Sequence, residues 1–275
     1  MIRYARQEDK AALQALYQTC FPGEPEFCRW FFDRVWQAEH TILEETDGVM
    51  TSALQMLPMQ LMWQGQRFPA HYIYAAGTEP AFRGQGKMAA LLDFACREAA
   101  KQGQWYSTLI TQNDGLFDFY GRFGYLPSFA VAEEEVQPAE AEGMGTVRAA
   151  RAEDIPAMLE LYRQAAQDRL AIARGPEDMA LQLELYSEKC KVYVDEQGVV
   201  KAYCFIDDTL AAEVVGSEKK QLLTYCFRQE GVRRCRGIAL QRPAPRIGCI
   251  KPLRPEAEAL LQQPMPPFYL NLMFN

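Results

Sequence analysis

The hydrophobic pattern starts as a short strand, "IRY", and passes within a few residues to the helical spacing of "EDKAALQALYQ". Apolar positions three and four apart mark one face of an amphipathic helix. "PEFCRWFFDRVW" (25–36) predicts a second helix rich in aromatics. Alternation then takes over. "TILEETDGVMTSALQML" reads as two strands about a Thr-Asp-Gly turn, and "LMWQGQRFPAHYIYAAGT" as a hairpin with Gly65 in its turn. After Gly86 the period is helical again, with Met88, Leu91, Leu92, Ala95 and Ala99 on one face. "WYSTLITQ" (105–112) predicts the next strand.

The pattern then begins again. "IRYARQEDKAALQALYQ" (2–18) aligns without gaps to "VRAARAEDIPAMLELYR" (147–163). Arg3, Ala5, Arg6, Glu8, Asp9, Ala12, Leu16 and Tyr17 recur as Arg148, Ala150, Arg151, Glu153, Asp154, Ala157, Leu161 and Tyr162. Each copy is a short strand, an Asp near the helix start, and a helix. A hairpin (191–207), the strand "LAAEVV", the helix "EKKQLLTYCFRQE" and a last strand in "PFYLNLMFN" complete the second copy. The fold class is mixed α/β, an α+β mixed sheet with meandering strands, built as two tandem domains. The Pro/Gly/Glu-rich stretch 137–146 reads as a linker between domains 1–136 and 147–275.

Composition narrows the picture. A chain of 275 residues is too long for most single cores. With 49% hydrophobic and 24% charged residues it has the profile of a soluble globular protein. The formal net charge of −7 argues against nucleic acid, which needs a basic face, and suits a cationic ligand. The charged N-terminus is unlike a signal peptide, and no apolar run approaches a membrane span. A cytoplasmic protein with no nucleic-acid or membrane partner is expected; nothing in the sequence fixes an oligomeric state. The 8 cysteines form no C-x-x-C pair and only 2 histidines accompany them. Reduced, mostly buried thiols and no metal site are the expectation.

The stretch carrying the most chemistry is "PAFRGQGKMAA" (80–90). A strand runs into Arg83-Gly84-Gln85-Gly86-Lys87-Met88 and then into a helix with no Ser or Asp cap. The first turn of a helix has free N–H groups, and glycines let an anion approach them. The helix dipole and the charges of Arg83 and Lys87 add to the attraction. The turn would cradle a phosphate or pyrophosphate. Alone the glycine pattern is weak, and it matches neither an NTPase loop nor a dinucleotide-fold motif.

About 30 residues on, "NDGLFDFYGRFGY" (113–125) strengthens the case. Together these segments resemble the GCN5-related N-acetyltransferase (GNAT) superfamily, which carries R/Q-x-x-G-x-G/A after its fourth strand and a Tyr followed by a Gly-Phe/Tyr pair near the end of the core. Arg83, Gly86 and Tyr120 fall in those places, and Met88 departs from the last Gly/Ala position. Met88, the run "YGRFGY" (120–125) and the tandem plan look most like the enhanced-intracellular-survival (Eis) acetyltransferases, without their sterol-carrier-like domain. The resemblance covers roughly residues 1–130.

It implies an acyltransferase moving an acetyl group from acetyl-CoA to a primary amine, small or on a peptide, by direct attack in a ternary complex. Backbone groups of Ala76, Gly77 and Thr78 would line the pantetheine and the acetyl carbonyl. The turn Gly84, Gln85, Gly86, Lys87, Met88 and Ala89, with Arg83, would hold the pyrophosphate. Asn113 and Asp114 would border the cofactor. Tyr120 would be the general acid; read without the family it is a core aromatic beside Phe119, Phe123 and Tyr125. For the base, the resemblance points to the terminal carboxylate of Asn275, and Glu26 and Asp33 are other candidates, each read more simply as surface charge. Two rival readings stand beside this one: an acyl-CoA-binding regulatory module without turnover, and an aminoacyl transferase using charged tRNA.

In the second copy, "FRQEG" (227–231) imitates "FRGQG" but reads as the end of a helix with Gly231 as its cap. The place equivalent to the glycine turn is "VVGSEKK" (214–220), which lacks the motif. The second domain is therefore expected to bind no acetyl-CoA. "QRPAPRIGCIKPLRPEAEALLQQPMPP" predicts extended loops and a short helix; the stretch's Arg242, Arg246, Lys251 and Arg254 could meet the cofactor's 3′-phosphate from outside but read more simply as solvated charge.

Overall fold

The computed structural model describes residues 1–111, 113–140, 144–238, 246–263 and 268–270. Along the chain run β1 (Ile2–Tyr4), α1 (Lys10–Cys20), α2 (Pro25–Arg34), β2 (Thr41–Thr46), β3 (Val49–Trp63), β4 (Gln66–Thr78), α3 (Lys87–Lys101), β5 (Tyr106–Ile110), α4 (Gly115–Gly121) and β6 (Leu126–Ala130). Then come β7 (Glu133–Glu135), β8 (Thr146–Ala149), α5 (Ile155–Ala166), β9 (Ala171–Ile172), α6 (Pro176–Tyr186), β10 (Cys190–Val194), β11 (Val200–Asp207), β12 (Leu210–Gly216), α7 (Lys219–Gln229), β13 (Arg234–Gly237), β14 (Arg246–Pro252) and α8 (Pro255–Leu261). The hairpin and helix expectations are met. The Thr-Asp-Gly turn has Asp47 at φ 52° and Gly48 at φ 76°, the left-handed pair of a two-residue hairpin.

Two compact units emerge, and they do not follow chain order. The first comprises 1–60, 68–127 and 248–264; the second 61–67, 128–247 and 265–275. This differs from a simple cut at 137–146. The segment read as extended loops contains β14, which pairs antiparallel with β5 from Gly248↔Ile110 to Pro252↔Tyr106. Gly248 permits it, because a Cβ there would collide with the carbonyl of Leu109. Cys249 and Ile250 are fully buried as a result.

In the first unit the meander β1–β2–β3–β4 is antiparallel at β1–β2 and β2–β3, β5 joins β4 in parallel, and β14 follows β5. Helix α3 lays Leu91, Leu92, Ala95, Cys96 and Ala99 on Ile42, Leu54, Ile73 and Leu109 of the sheet. Tyr120, Tyr125 and Cys249 belong to the same core. In the second unit the sheet order is β7-β13-β12-β11-β10-β8. Its parallel pair β12–β13 is completed by β7, a segment from the first half of the sequence. Both parallel strands, β5 and β13, thus gain an antiparallel neighbour distant in sequence.

The repeated N-terminal sequence makes the same clasp twice. Arg3 donates two bonds to Asp9 (2.7 and 3.0 Å), and Arg148 two to Asp154 (2.7 and 2.8 Å). Each Asp also accepts the N–H three residues back, from Arg6 or Arg151. Bidentate guanidinium–carboxylate pairing locks strand to helix start. The arginine bonds hold both Asp carboxyls below the usual carboxylate range, against the upward push of burial.

Candidate active site

β4 and β5 pair at Ala70↔Tyr106, His71↔Ser107 and Tyr72↔Thr108, and no further among the described residues. β4 continues to Thr78 while β5 stays with β14 to Ile110. The departure begins just before Ala75, which takes φ 47°, a conformation costly for a residue with a Cβ. Ala76 and Thr78, both half-buried, lie on the part of β4 beyond its recorded pairing with β5, and the parting of the two strands is the wedge that a ligand would enter. Backbone polar groups in such a wedge need partners from outside the sheet.

The wedge leads into the glycine turn. Gly84 (φ 74°) and Gly86 (φ 77°) are both left-handed, and a Cβ on either would meet nothing within 4 Å. Space is therefore open where the turn passes. Gly86 is the N-cap of α3, and no side chain caps it. The N–H groups of the first turn have no acceptor within the helix.

The two cations behave differently from the sequence picture. Arg83 is exposed and donates through Nε to the Thr78 carbonyl (3.0 Å), tying turn to strand. Lys87 folds back onto β2: its Nζ bonds Glu44 Oε1 (3.0 Å) and Thr46 Oγ1 (2.9 Å), with 9% of its side chain exposed. Its charge is matched by Glu44 rather than presented in the turn. The signal for Glu44 was in the alternation. Ile42, Glu44 and Thr46 share the strand face under α3, and a carboxylate at a core-face position calls for a cation. Met88 and Ala89 are half-buried in the first turn of α3.

Gly77 has a role the sequence did not show. A Cβ there would lie 2.8 Å from Cys20 Sγ, so the glycine admits the end of α1. Asn113 and Asp114 are exposed at the start of α4. The run 120–125 closes α4. Gly124 (φ 82°) reverses the chain, and the Tyr120 carbonyl accepts from the N–H groups of Phe123 and Tyr125 (2.9 and 3.3 Å).

The two tyrosines of that run have different environments. Tyr125 is fully enclosed, its hydroxyl on Ser107 Oγ (2.6 Å). Tyr120 is 8% exposed, and its hydroxyl has no hydrogen-bond partner among the described residues. Burial first, and the nearby Cys249 thiol second, push its hydroxyl up to about 12. Glu26 is exposed on α2, and Asp33, 66% exposed, pairs with Lys10 (3.1 Å). Asn275 and Arg242 lie outside the described residues. The buried face of α2 instead contributes Phe31, whose ring lies 5.0 Å from that of Tyr74 on β4; Tyr74 in turn shares a 2.9 Å hydrogen bond with Tyr17 of α1.

In the second unit a like positive-φ residue is present, but among the described residues its strands rejoin. Glu213 takes φ 51° in β12, yet β12 and β13 rejoin at Val214↔Gly237 beyond the irregularity. The following turn already uses an N–H, from Ser217 to the Lys201 carbonyl (3.0 Å). Gly231 (φ 76°) ends α7 as the sequence predicted.

Comparison with known proteins bears on the same residues. The profile of an acetyltransferase (GNAT) domain matches residues 1–127. No curated protein matches the chain. Among solved structures, the chain is similar to a conserved protein of unknown function from Enterococcus faecalis V583 (TM-score 0.71, 17% identity, 92% of this chain and 72% of that one). It is similar to a GCN5-related N-acetyltransferase from Anabaena variabilis ATCC 29413 (0.69, 18%, 92% and 73%) and to Eis1 from Mycobacterium abscessus (0.67, 14%, 94% and 75%). At these identities the likeness shows the fold.

Proposed function

We propose, from the premise that residues 1–127 belong to the acetyltransferase (GNAT) domain family, that the protein is an N-acetyltransferase acting on a primary amine through a single site in the first unit. The observation that carries the reading is the wedge between β4 and β5 running into an uncapped, doubly left-handed glycine turn. The wedge suits a pantetheine arm, whose amides pair with strand backbone. The turn suits the diphosphate, held by N–H groups and the helix dipole. Arg83 stands at the turn as the exposed cation; Lys87 fixes the first turn of α3 from beneath.

Acetyl-CoA supplies an activated thioester. The neutral amine attacks its carbonyl carbon, the C–N bond forms, and the C–S bond breaks. A fixed backbone N–H at Ala76 to Thr78 would stabilise the carbonyl oxygen as charge builds. Tyr120 arrives protonated at every pH where the amine reacts and donates to the leaving sulfur. The attacking nitrogen gives up a proton, which returns through solvent to the Tyr120 oxygen and restores the neutral phenol. A lysine-like amine is neutral in only ~10⁻³ of molecules at pH 7, so the acceptor must lose a proton on binding or to water. The rings of Tyr17, Phe31 and Tyr74 pack together on the α1–α2 side of β4.

Calorimetric titration with acetyl-CoA, followed by thiol release with a panel of amines, tests this. One site per chain and amine-dependent thiol release are expected. Tyr120→Phe should lower kcat at least about tenfold, within the usual range for an acid–base group, with acetyl-CoA affinity unchanged. Binding without release would leave a regulatory acyl-CoA-binding module, and no binding would remove the reading.

A further inference from the structure

On the α1–α2 side of its sheet the first unit holds a cavity of about 10 Å³, room for one group the size of a water or a methyl. Ala53 of β3 and Ala75 and Gly77 of β4 form its floor, and Leu13 and Leu16 of α1 and Phe32 of α2 its wall. None of the chemistry above uses this space. Yet Gly77 lies within the Ala76 to Thr78 stretch that would meet the acyl carbonyl.

The lining limits what can enter. Among the described residues it holds no charged side chain. An ammonium group placed there would lose its water and gain no counter-ion, which is costly. The amine therefore has to react from outside this space. The two polar side chains of the lining are already engaged. Gln55 Oε1 accepts from Thr41 Oγ1 (2.6 Å), and Tyr17 shares its hydroxyl bond with Tyr74 (2.9 Å). A methyl group, by contrast, would leave water and gain dispersion contacts on several sides.

The space is also hard to enlarge. It exists because three floor positions carry a single methyl or none. Leu13, Leu16 and Phe32 are buried, and Cys20 Sγ stands 2.8 Å from the place a Cβ on Gly77 would take. A close-packed wall of this kind resists an extra carbon. We propose that this cavity receives the tail of the transferred acyl group and limits that group to two carbons, with Leu16, Phe32 and Ala53 as specificity-determining residues. The proposal rests on the acetyltransferase reading of the same site.

Calorimetric titration of the full chain with CoA, acetyl-CoA, propionyl-CoA and butyryl-CoA tests it. Acetyl-CoA should bind at least as tightly as CoA. Butyryl-CoA should bind at least about tenfold more weakly than acetyl-CoA, the discrimination an apolar pocket makes against an added methylene. Leu16→Ala, which enlarges the cavity, should shrink that gap to about threefold or less. Ala53→Val, which fills the floor, should weaken acetyl-CoA at least about fivefold. CoA has no acyl tail, so it should bind both variants as it binds the wild type, and this separates a reshaped pocket from a damaged fold. If either variant fails to fold, the wild-type series still decides. Equal affinity for every acyl length, or a gap that neither folded variant moves, would overturn the proposal and leave the acetyltransferase reading standing. Failure of CoA itself to bind would remove both.

Discussion

Gly86 shows how much one residue can decide. Its φ of 77° is left-handed and no atom lies within 4 Å of the place a Cβ would take. Backbone conformation and open space, rather than packing, make glycine the fitting residue. Gly86→Asp should therefore fold, with a loss of about 1–2 kcal/mol from the left-handed φ. It should bind acetyl-CoA at least about a hundredfold more weakly, since a carboxylate would stand among N–H groups meant for phosphate. Retained affinity by calorimetry would make the turn purely structural. Tyr120 carries a second residue-scale prediction. Its hydroxyl is raised to about 12, so it keeps its proton through pH 10, where an ordinary tyrosine is about half ionised. kcat/KM should rise with pH as the amine deprotonates and should show no fall by pH 10. A descending limb centred near 10 would mean that Tyr120 is solvated during the reaction or is not the acid.

At the scale of elements, the Arg–Asp clasp explains why the chain repeats itself where it does. Strand and helix start are separate pieces, and a pair of charged hydrogen bonds at 2.7–3.0 Å joins them in each unit. Asp9 is buried to 11% side-chain exposure beside an arginine that also serves Glu45. Removing its charge should cost about 2–4 kcal/mol at pH 7. The sign follows from its lowered pKa. The stabilisation is present above the ordinary carboxylate value and is lost as pH falls through the lower folded-state value. Chemical denaturation of Asp9→Asn beside wild type should thus show a gap that narrows once pH falls below the ordinary carboxylate range and closes below the lower folded-state value. A gap of constant size would mean that shape, not charge, holds the clasp. The bends at Ala75 and Glu213 are the second element-scale device. In β4 the bend opens the sheet, while in β12 pairing resumes at Val214↔Gly237. The same backbone kink gives a slot in one unit and a closed sheet in the other.

For the whole molecule, the decisive feature is where β14 goes. The first sheet has β14 beside β5, and the second has β7 beside β13. A fragment of residues 1–136 would leave β5 with an open edge and remove Cys249 and Ile250 from the core. It should unfold without a cooperative transition and fail to bind acetyl-CoA, whereas the full chain should melt cooperatively and bind it. A soluble fragment that melts sharply and binds acetyl-CoA would show that β14 is dispensable to the site.

The elements, the repeat and the glycine turn were legible because they are local. Helical period, alternation and left-handed glycines act over a few residues, and the short-range rules of the backbone govern them. Tyr120 could be singled out from its surroundings in "YGRFGY", but its separation from Tyr125 is a matter of burial. What the chain alone did not reveal depends on residues far apart in it. Lys87 finds Glu44 across 43 positions, Cys20 meets Gly77, and "RIGCIKP" becomes a core strand once β5 offers an unpaired edge. Pairing of that kind carries no periodic mark of its own, because a strand edge accepts a partner from any distance in sequence and only the assembled sheet determines which segment arrives.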